Sequence, residues 1–263
     1  IYSAMKIQQI DFFERIQEIA RSHTDSNALI CGERQVKYRE LPEMILRLVN
    51  GMRSSGLKPG LRVALLMDNS IEYLLLLAAG FRLGSISVCI NTRIGVDEMK
   101  KVIQQTRPTI LVYDEQYQEA ADQFKESFSG GIICVNSSNN GLSSLSQWWD
   151  SSPEEPDITT PSPNDGAIII PTAAVGGIPK GALLSQNNIL ASVLAHLVHF
   201  GEESMSGLLS LLPPYHVMGL CSAWTTLLSA GKVVLQRQFD AEDAVRILDA
   251  ENLTYFGSFP PIL

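Results

Sequence analysis

A loop of small residues that carries one lysine is the segment whose residue types could do chemistry. It reads Pro171-Thr172-Ala173-Ala174-Val175-Gly176-Gly177-Ile178-Pro179-Lys180-Gly181 and lies between apolar runs at 167–170 and 182–184. Small residues let backbone N–H groups approach an anion closely, and a lysine ammonium adds a point charge. The pattern therefore predicts a phosphate-binding loop. A glycine-rich hairpin without a ligand is the alternative.

The loop differs from the two commonest phosphate-binding motifs. A P-loop needs a lysine followed by serine or threonine, whereas Lys180 is followed by Gly181 and Ala182. The Gly-x-Gly-x-x-Gly pattern of dinucleotide-binding folds is also missing from this stretch. Any phosphate site here must therefore be of another type.

A second segment places a histidine where a helix should begin. It reads Leu211-Leu212-Pro213-Pro214-Tyr215-His216-Val217-Met218-Gly219-Leu220. The tandem proline ends a strand, and the N-terminus of a helix can present donors and a titratable ring to a carboxylate. A capped, partly buried histidine with no ligand is the other interpretation.

The two segments together resemble the adenylate-forming superfamily, which includes acyl-CoA synthetases, aryl-CoA ligases, luciferases and adenylation domains. The loop of that family usually reads Thr-Ser-Gly-Thr-Thr-Gly-x-Pro-Lys-Gly. Thr172 and the stretch 177–181 match it. The family's Ser-Gly-Thr-Thr, with its three hydroxyls, is replaced by Ala173, Ala174, Val175 and Gly176.

Further segments extend the resemblance over nearly the whole chain. Tyr215, His216 and Gly219 match the family's Pro-Leu-[Phe/Tyr]-His-x-x-Gly pattern. Residues 56–64 are similar to its Gly-x-x-x-Gly-Asp-x-Val segment, with Leu61 at the aspartate position. Weaker similarities are Asn69-Ser70-Ile71-Glu72-Tyr73, which leads a buried helix, and the strand and turn at 253–263.

The resemblance implies an ATP-dependent acid–thiol ligase. Such an enzyme uses ATP and Mg²⁺ to convert a carboxylic acid to an acyl-adenylate, then forms a thioester with coenzyme A. It implies a catalytic role for His216. It implies phosphate contacts for Thr172, Ala173, Ala174, Val175, Gly176, Gly177 and Lys180, and an acyl pocket at Tyr215, Met218, Gly219 and Cys221.

Family members carry further functional segments after the position that corresponds to Leu263. These are the adenine-binding and metal-coordinating segment, the ribose-binding aspartate, the hinge and the C-terminal domain with its catalytic lysine. We therefore expect the 263 residues to be inactive on their own, and whether the natural protein continues past Leu263 stays open. The alternatives are a degenerate acyl-binding module and a scaffold without adenylation activity. The acid, the acceptor (coenzyme A or a carrier protein) and the oligomeric state stay open.

Hydrophobic periodicity predicts an α/β fold with mostly parallel sheets flanked by helices, resembling the N-terminal domain of adenylate-forming enzymes. Strands are predicted at 28–31, 62–67, 86–90, 109–113, 131–135, 167–170, 207–211, 232–235 and 253–257. Helices are predicted at 12–21, 38–54, 70–83, 96–106, 116–128, 186–200, 218–229 and 241–250.

A break in this alternation predicts two subdomains. Residues 151–165 contain four prolines and little apolar character, which is typical of a linker. The linker separates a first α/β subdomain, 1–150, from a second, 166–263, which carries the phosphate loop.

Composition excludes several classes of function. The net charge is −8 and the basic residues are scattered, so we expect no nucleic-acid partner. No apolar run reaches the roughly 18 residues of a membrane span. Cys31, Cys89, Cys134 and Cys221 are far apart, which favours reduced thiols and a cytoplasmic location. They are not spaced with histidines as zinc ligands, and His196 with His199 is better explained as two helix histidines, so we expect no protein metal site.

Overall fold

A computed structural model describes residues 11–136, 144–172 and 180–258. The helices are α1 (Phe12–Ser22), α2 (Leu41–Ser54), α3 (Ile71–Leu83), α4 (Val96–Thr106), α5 (Gln118–Phe124), α6 (Ser146–Trp149), α7 (Gln186–Phe200), α8 (Val217–Leu228) and α9 (Ala241–Ala250). The strands are β1 (Asn27–Cys31), β2 (Arg34–Lys37), β3 (Arg62–Leu66), β4 (Ile86–Cys89), β5 (Ile110–Tyr113), β6 (Ile132–Cys134), β7 (Gly166–Pro171), β8 (Gly181–Ser185), β9 (Gly207–Ser210), β10 (Lys232–Leu235) and β11 (Tyr255–Phe256). Strands and helices alternate along most of the chain, which confirms the predicted α/β class.

The chain forms two compact units that are interleaved in sequence. The first takes its described residues from Ile1–Pro42, Asn69–Leu74 and Asn187–Leu263, and the second from Glu43–Asp68 and Leu75–Gln186. The sequence-based regions 1–150 and 166–263 do not coincide with these units, because the first unit draws on both sides of the linker and so does the second. The division into two subdomains at 151–165 stays a prediction.

The first unit is built on a five-stranded sheet of order β11-β9-β10-β1-β2. Its strands are parallel except for the β1–β2 pair, which is an antiparallel hairpin. The hairpin turn contains Gly32, whose φ of +58° suits the two-residue connection between Cys31 and Arg34. One face of this sheet packs on α9 through Ala244 and the partly buried Ile247 and Leu248.

The second unit is built on a six-stranded sheet of order β6-β5-β3-β4-β7-β8. All neighbouring strands are parallel except β7 and β8. Strands β4 and β5 are buried along their whole length, as expected for a parallel sheet that is covered on both faces. On one face α4 and α5 supply Met99, Val102, Ile103, Ala121 and Phe124 to the core.

The predicted linker runs without helix or strand, and side chains of the second unit satisfy its backbone carbonyls. The Arg47 guanidinium donates to the carbonyl of Ser151 at 2.8 Å. The Asn50 side-chain amide donates to the carbonyls of Ser152 and Glu154, each at 2.9 Å. These bonds fix the start of the segment against α2.

A buried tyrosine of the first unit secures the C-terminal end of α8. Tyr38 is fully buried, and its hydroxyl oxygen lies 2.6 Å from the carbonyl oxygen of Gly231 and 3.0 Å from that of Leu227, so its one proton is shared between the two acceptors. Burial raises the pKa of the Tyr38 hydroxyl far above its usual value, so the group is a neutral donor. The last carbonyls of a helix have no N–H partner within that helix, and the Tyr38 hydroxyl supplies a donor there.

Replacing Tyr38 with phenylalanine should lower the free energy of unfolding by about 1–3 kcal/mol, because carbonyls inside the unit would lose their donor. Urea unfolding monitored by circular dichroism measures this change. Ser22→Ala is the control: its hydroxyl also donates to a backbone carbonyl, that of Glu18 at 3.1 Å, but at an exposed site. The control should stay within about 0.5 kcal/mol of the parent. Equal effects from the two variants would contradict the role given to Tyr38.

Candidate active site

The predicted phosphate loop lies at the end of the β7–β8 hairpin, in the second unit. Pro171 pairs with Gly181, and the next residue pair closes the neck of the loop. The Thr172 N–H donates to the Lys180 carbonyl at 2.7 Å, and the Thr172 hydroxyl donates to the same oxygen at 3.1 Å. The two ends of the loop are therefore held together by backbone and side-chain bonds.

Of the seven residues of the predicted phosphate site, only Thr172 and Lys180 belong to the described residues. Ala173, Ala174, Val175, Gly176 and Gly177 lie outside them. Thr172 and Lys180 are both exposed. The hydroxyl proton of Thr172 points to a backbone carbonyl, so in this arrangement its oxygen is left to act as an acceptor. The phosphate-binding roles of all seven residues stay predictions.

Close packing on β7 explains the glycine that follows Lys180. A Cβ placed on Gly181 would lie 2.7 Å from Cγ2 of Ile169, which is closer than side chains tolerate. The glycine therefore lets β8 start directly against β7, with Lys180 at its exposed end.

The predicted histidine segment lies at the exit of β9, in the first unit. His216 is the N-cap residue of α8, with φ −104° and ψ 137°. Its N–H donates to the carbonyl of Pro213 at 3.0 Å, and its carbonyl accepts from the N–H of Leu220 at 3.0 Å. The tandem proline therefore makes a tight turn that delivers His216 to the start of the helix, as the sequence predicts.

The aromatic neighbour of His216 is buried and the imidazole is exposed. Tyr215 is only 2% exposed, and its ring centroid lies 4.8 Å from that of His216 at an interplanar angle of 59°. Tyr215 thus forms a fixed wall beside an accessible imidazole. Such an arrangement can orient a ligand at the positive end of a helix.

The other predicted acyl-pocket residues lie on α8 and differ in exposure and in what they contact. Met218 is half exposed, next to His216. Gly219 lines a small cavity with the carboxyl end of β9, Ser222 and Gly257. Cys221 is buried beside Ser192 of α7, and burial raises the pKa of its thiol. The structure therefore places Gly219 at this cavity and Cys221 against α7.

The cavity beside Gly219 has a volume of about 10 Å³, which is the space of roughly one water molecule. An acyl group does not fit into it in this conformation. The acyl-pocket roles of Tyr215, Met218, Gly219 and Cys221 stay predictions.

Sequence analysis misses a buried asparagine that touches this region. The Asn69 side-chain amide donates to the carbonyls of Ser210, at the end of β9, and of Gln236, just beyond β10. The sequence places Asn69 in a weak family similarity ahead of an apolar helix and assigns it no role. Its partners lie 141 and 167 residues away, so no local pattern could have identified them.

The described residues contain neither a metal-ligand cluster nor a membrane-spanning helix. No group of three or more histidine, cysteine, aspartate or glutamate side chains is placed to hold a metal ion there. No helix in that part of the chain has the length and apolar character needed to cross a membrane.

Gly219→Ala should destabilise the protein by about 1–3 kcal/mol, because overpacking outweighs the better helix propensity of alanine. A Cβ at this position would lie 2.5 Å from the carbonyl oxygens of Leu212 and Pro213. Gly257→Ala is the control, since its Cβ would meet Leu212 at an ordinary 3.4 Å. Thermal unfolding measures both variants. A Gly219→Ala protein as stable as the control would contradict this prediction, because the Leu212 and Pro213 carbonyls would then move aside at little cost.

Comparisons with known proteins connect this architecture to one family. The family model described as AMP-binding enzyme matches residues 16–263. An indoleacetate–CoA ligase from Aromatoleum aromaticum is 28% identical over 251 residues, which cover 93% of this chain and 49% of that protein. A feruloyl-CoA synthase from an Amycolatopsis species is 27% identical over 242 residues, which cover 92% of this chain and 47% of that protein.

The fold agrees with that relationship. A solved structure described as a long-chain-fatty-acid CoA ligase from Rhodopseudomonas palustris superposes with a TM-score of 0.87 at 25% identity. The match covers 96% of this chain and 64% of that one. The chain spans about half the length of the curated relatives it matches. Because the family model covers nearly all of its residues, the chain belongs to the AMP-binding enzyme family.

Proposed function

We propose that the protein containing this chain is an ATP-dependent acid–thiol ligase. It joins a carboxylic acid to the α-phosphate of ATP with release of pyrophosphate, then passes the acyl group to the thiol of coenzyme A with release of AMP. The observation that carries the proposal is the family match over residues 16–263. The names of the two curated relatives, a CoA ligase and a CoA synthase, support the same reaction class.

Lys180 is the described residue best suited to the nucleotide phosphates. It is exposed at the neck of the loop, where the Thr172–Lys180 bonds hold the two strands together. An ammonium group there attracts polyphosphate and stabilises charge on it. When bound, ATP supplies an electrophilic phosphorus and pyrophosphate as the leaving group. We propose that Mg²⁺ arrives with the phosphates.

His216 is proposed to orient the carboxylate of the acid. Its imidazole is exposed at the N-terminus of α8, and the buried Tyr215 ring restricts the directions from which a ligand can approach. Holding the carboxylate in one orientation lowers the entropic part of the barrier to its attack on phosphorus. Met218, beside His216 on the exposed face, is proposed to contact the acyl group with Gly219 and Cys221 nearby.

The proposal applies to the natural protein as a whole, because this chain spans about half the length of its curated relatives. The acceptor, coenzyme A, is part of the proposal, as is the cytoplasmic location. The acid is a small-molecule carboxylic acid whose chemical class stays open.

Lys180→Gln in the natural gene product should raise the KM for ATP by about 10- to 100-fold. A hydrogen bond to a charged group contributes roughly 1.5–3 kcal/mol, and each 1.4 kcal/mol is a factor of about ten. Pyrophosphate exchange, measured as ATP is varied at saturating acid, gives this KM. The KM for the acid should change far less.

Lys125→Gln is the matched control, since it makes the same charge change at an exposed position of the second unit. It should leave both constants unchanged. Equal KM values for ATP in the parent and in Lys180→Gln would remove Lys180 from the phosphate site. Acid binding by the parent without any turnover of ATP would favour the degenerate acyl-binding module.

A further inference from the structure

Asn69 holds together the carboxyl ends of two neighbouring parallel strands of the first unit. Its side-chain nitrogen lies 3.3 Å from the Ser210 carbonyl oxygen and 3.2 Å from that of Gln236. The direct ladder bond at this point, from the Gln236 N–H to the Ser210 carbonyl, is long at 3.4 Å. Asn69 thus bonds the strand ends where their own hydrogen bonding weakens.

The residue is buried and only half satisfied. Asn69 is 3% exposed, and its Oδ1 atom has no hydrogen-bond partner among the described residues. A buried acceptor without a donor costs free energy, which offsets part of what the two amide bonds contribute.

Ser210, one of the two residues that Asn69 bonds, leads directly along the chain to His216 of the candidate active site. Leu211 and Leu212 are buried, and the prolines at 213 and 214 have a fixed φ. The Leu212 and Pro213 carbonyls approach Gly219 so closely that a Cβ would lie 2.5 Å from them. With so little freedom along the segment, a shift of Ser210 is transmitted to His216.

We infer that Asn69 is a positioning residue for His216, an assignment that rests on the proposed function for its catalytic consequence. It acts through the Ser210 carbonyl and the rigid strand exit. Its amide fixes where the imidazole stands relative to the carboxylate that this site receives.

The test uses the natural gene product with Asn69→Ala and with Asn69→Ser, which keeps one hydroxyl donor. Histidine ring signals in ¹H–¹³C NMR spectra report the position of His216 without reference to activity, and His216→Gln identifies its signal. Asn69→Ala should shift or broaden the His216 signal and leave those of His23, His196 and His199 in place. Asn69→Ser should act in the same direction but less, and it decides the test if Asn69→Ala does not fold.

Kinetics give the second readout. Asn69→Ala should lower kcat for acid-dependent pyrophosphate exchange by roughly 10- to 100-fold, the loss that a small misplacement of an orienting group produces. The KM for ATP should stay within about twofold, because the Asn69 side chain is proposed to act on His216 and not on the nucleotide. Tyr38→Phe is the control: it removes a buried donor to carbonyls at the other end of α8 and should keep kcat within about twofold.

An unmoved His216 signal in both Asn69 variants would overturn the inference. Equal losses of kcat in Asn69→Ala and Tyr38→Phe would overturn it as well, since general destabilisation would then explain both. If the parent shows no exchange with any acid, the proposed function fails. The NMR comparison still decides whether Asn69 positions His216.

Discussion

The structure depends on the need to give every buried backbone carbonyl a hydrogen-bond donor where strands and helices end. Parallel sheets are buried on both faces, so their ladders end inside the protein, where water cannot take over. Distant side chains supply the missing donors in the first unit: Tyr38 at the end of α8, and Asn69 at the ends of β9 and β10. In the second unit the Asn50 amide donates to two exposed carbonyls of the segment that follows α6 and so attaches that segment to α2. These bonds fix the connections between elements, and the candidate active-site residues lie on such connections.

The two connections that carry the candidate site residues, one in each unit, are stabilised by different means. The loop between β7 and β8 is closed at its neck by two bonds from Thr172 to the Lys180 carbonyl, with small residues beyond. This suits a site in which backbone N–H groups approach an anion. The exit of β9 instead depends on two prolines, a buried tyrosine and the close approach of Gly219. That rigidity suits a ring that must be held in one place.

Local patterns in the sequence predict most of the helices and strands. In the structure Ser70 and Asp240 accept the N–H groups of Tyr73 and Asp243 at the starts of α3 and α9, and Gly56 and Gly84 follow the ends of α2 and α3 with positive φ. The family's motifs also lead to Lys180 and His216. Contacts between distant segments are beyond such reasoning. Asn69 and its partners are joined only by the tertiary fold, the two units interleave along the chain, and Cys221 turns out to contact α7.

The activity proposed for the natural protein is the conversion of a carboxylic acid to its adenylate. Acid-dependent exchange of labelled pyrophosphate into ATP by the natural gene product tests it most directly, because exchange requires the adenylate to form reversibly on the enzyme. A panel of aryl and alkyl carboxylic acids covers the chemistry named in the curated relatives. We expect exchange only when a suitable acid is added. A pure, folded protein that exchanges no pyrophosphate with any member of the panel would contradict it.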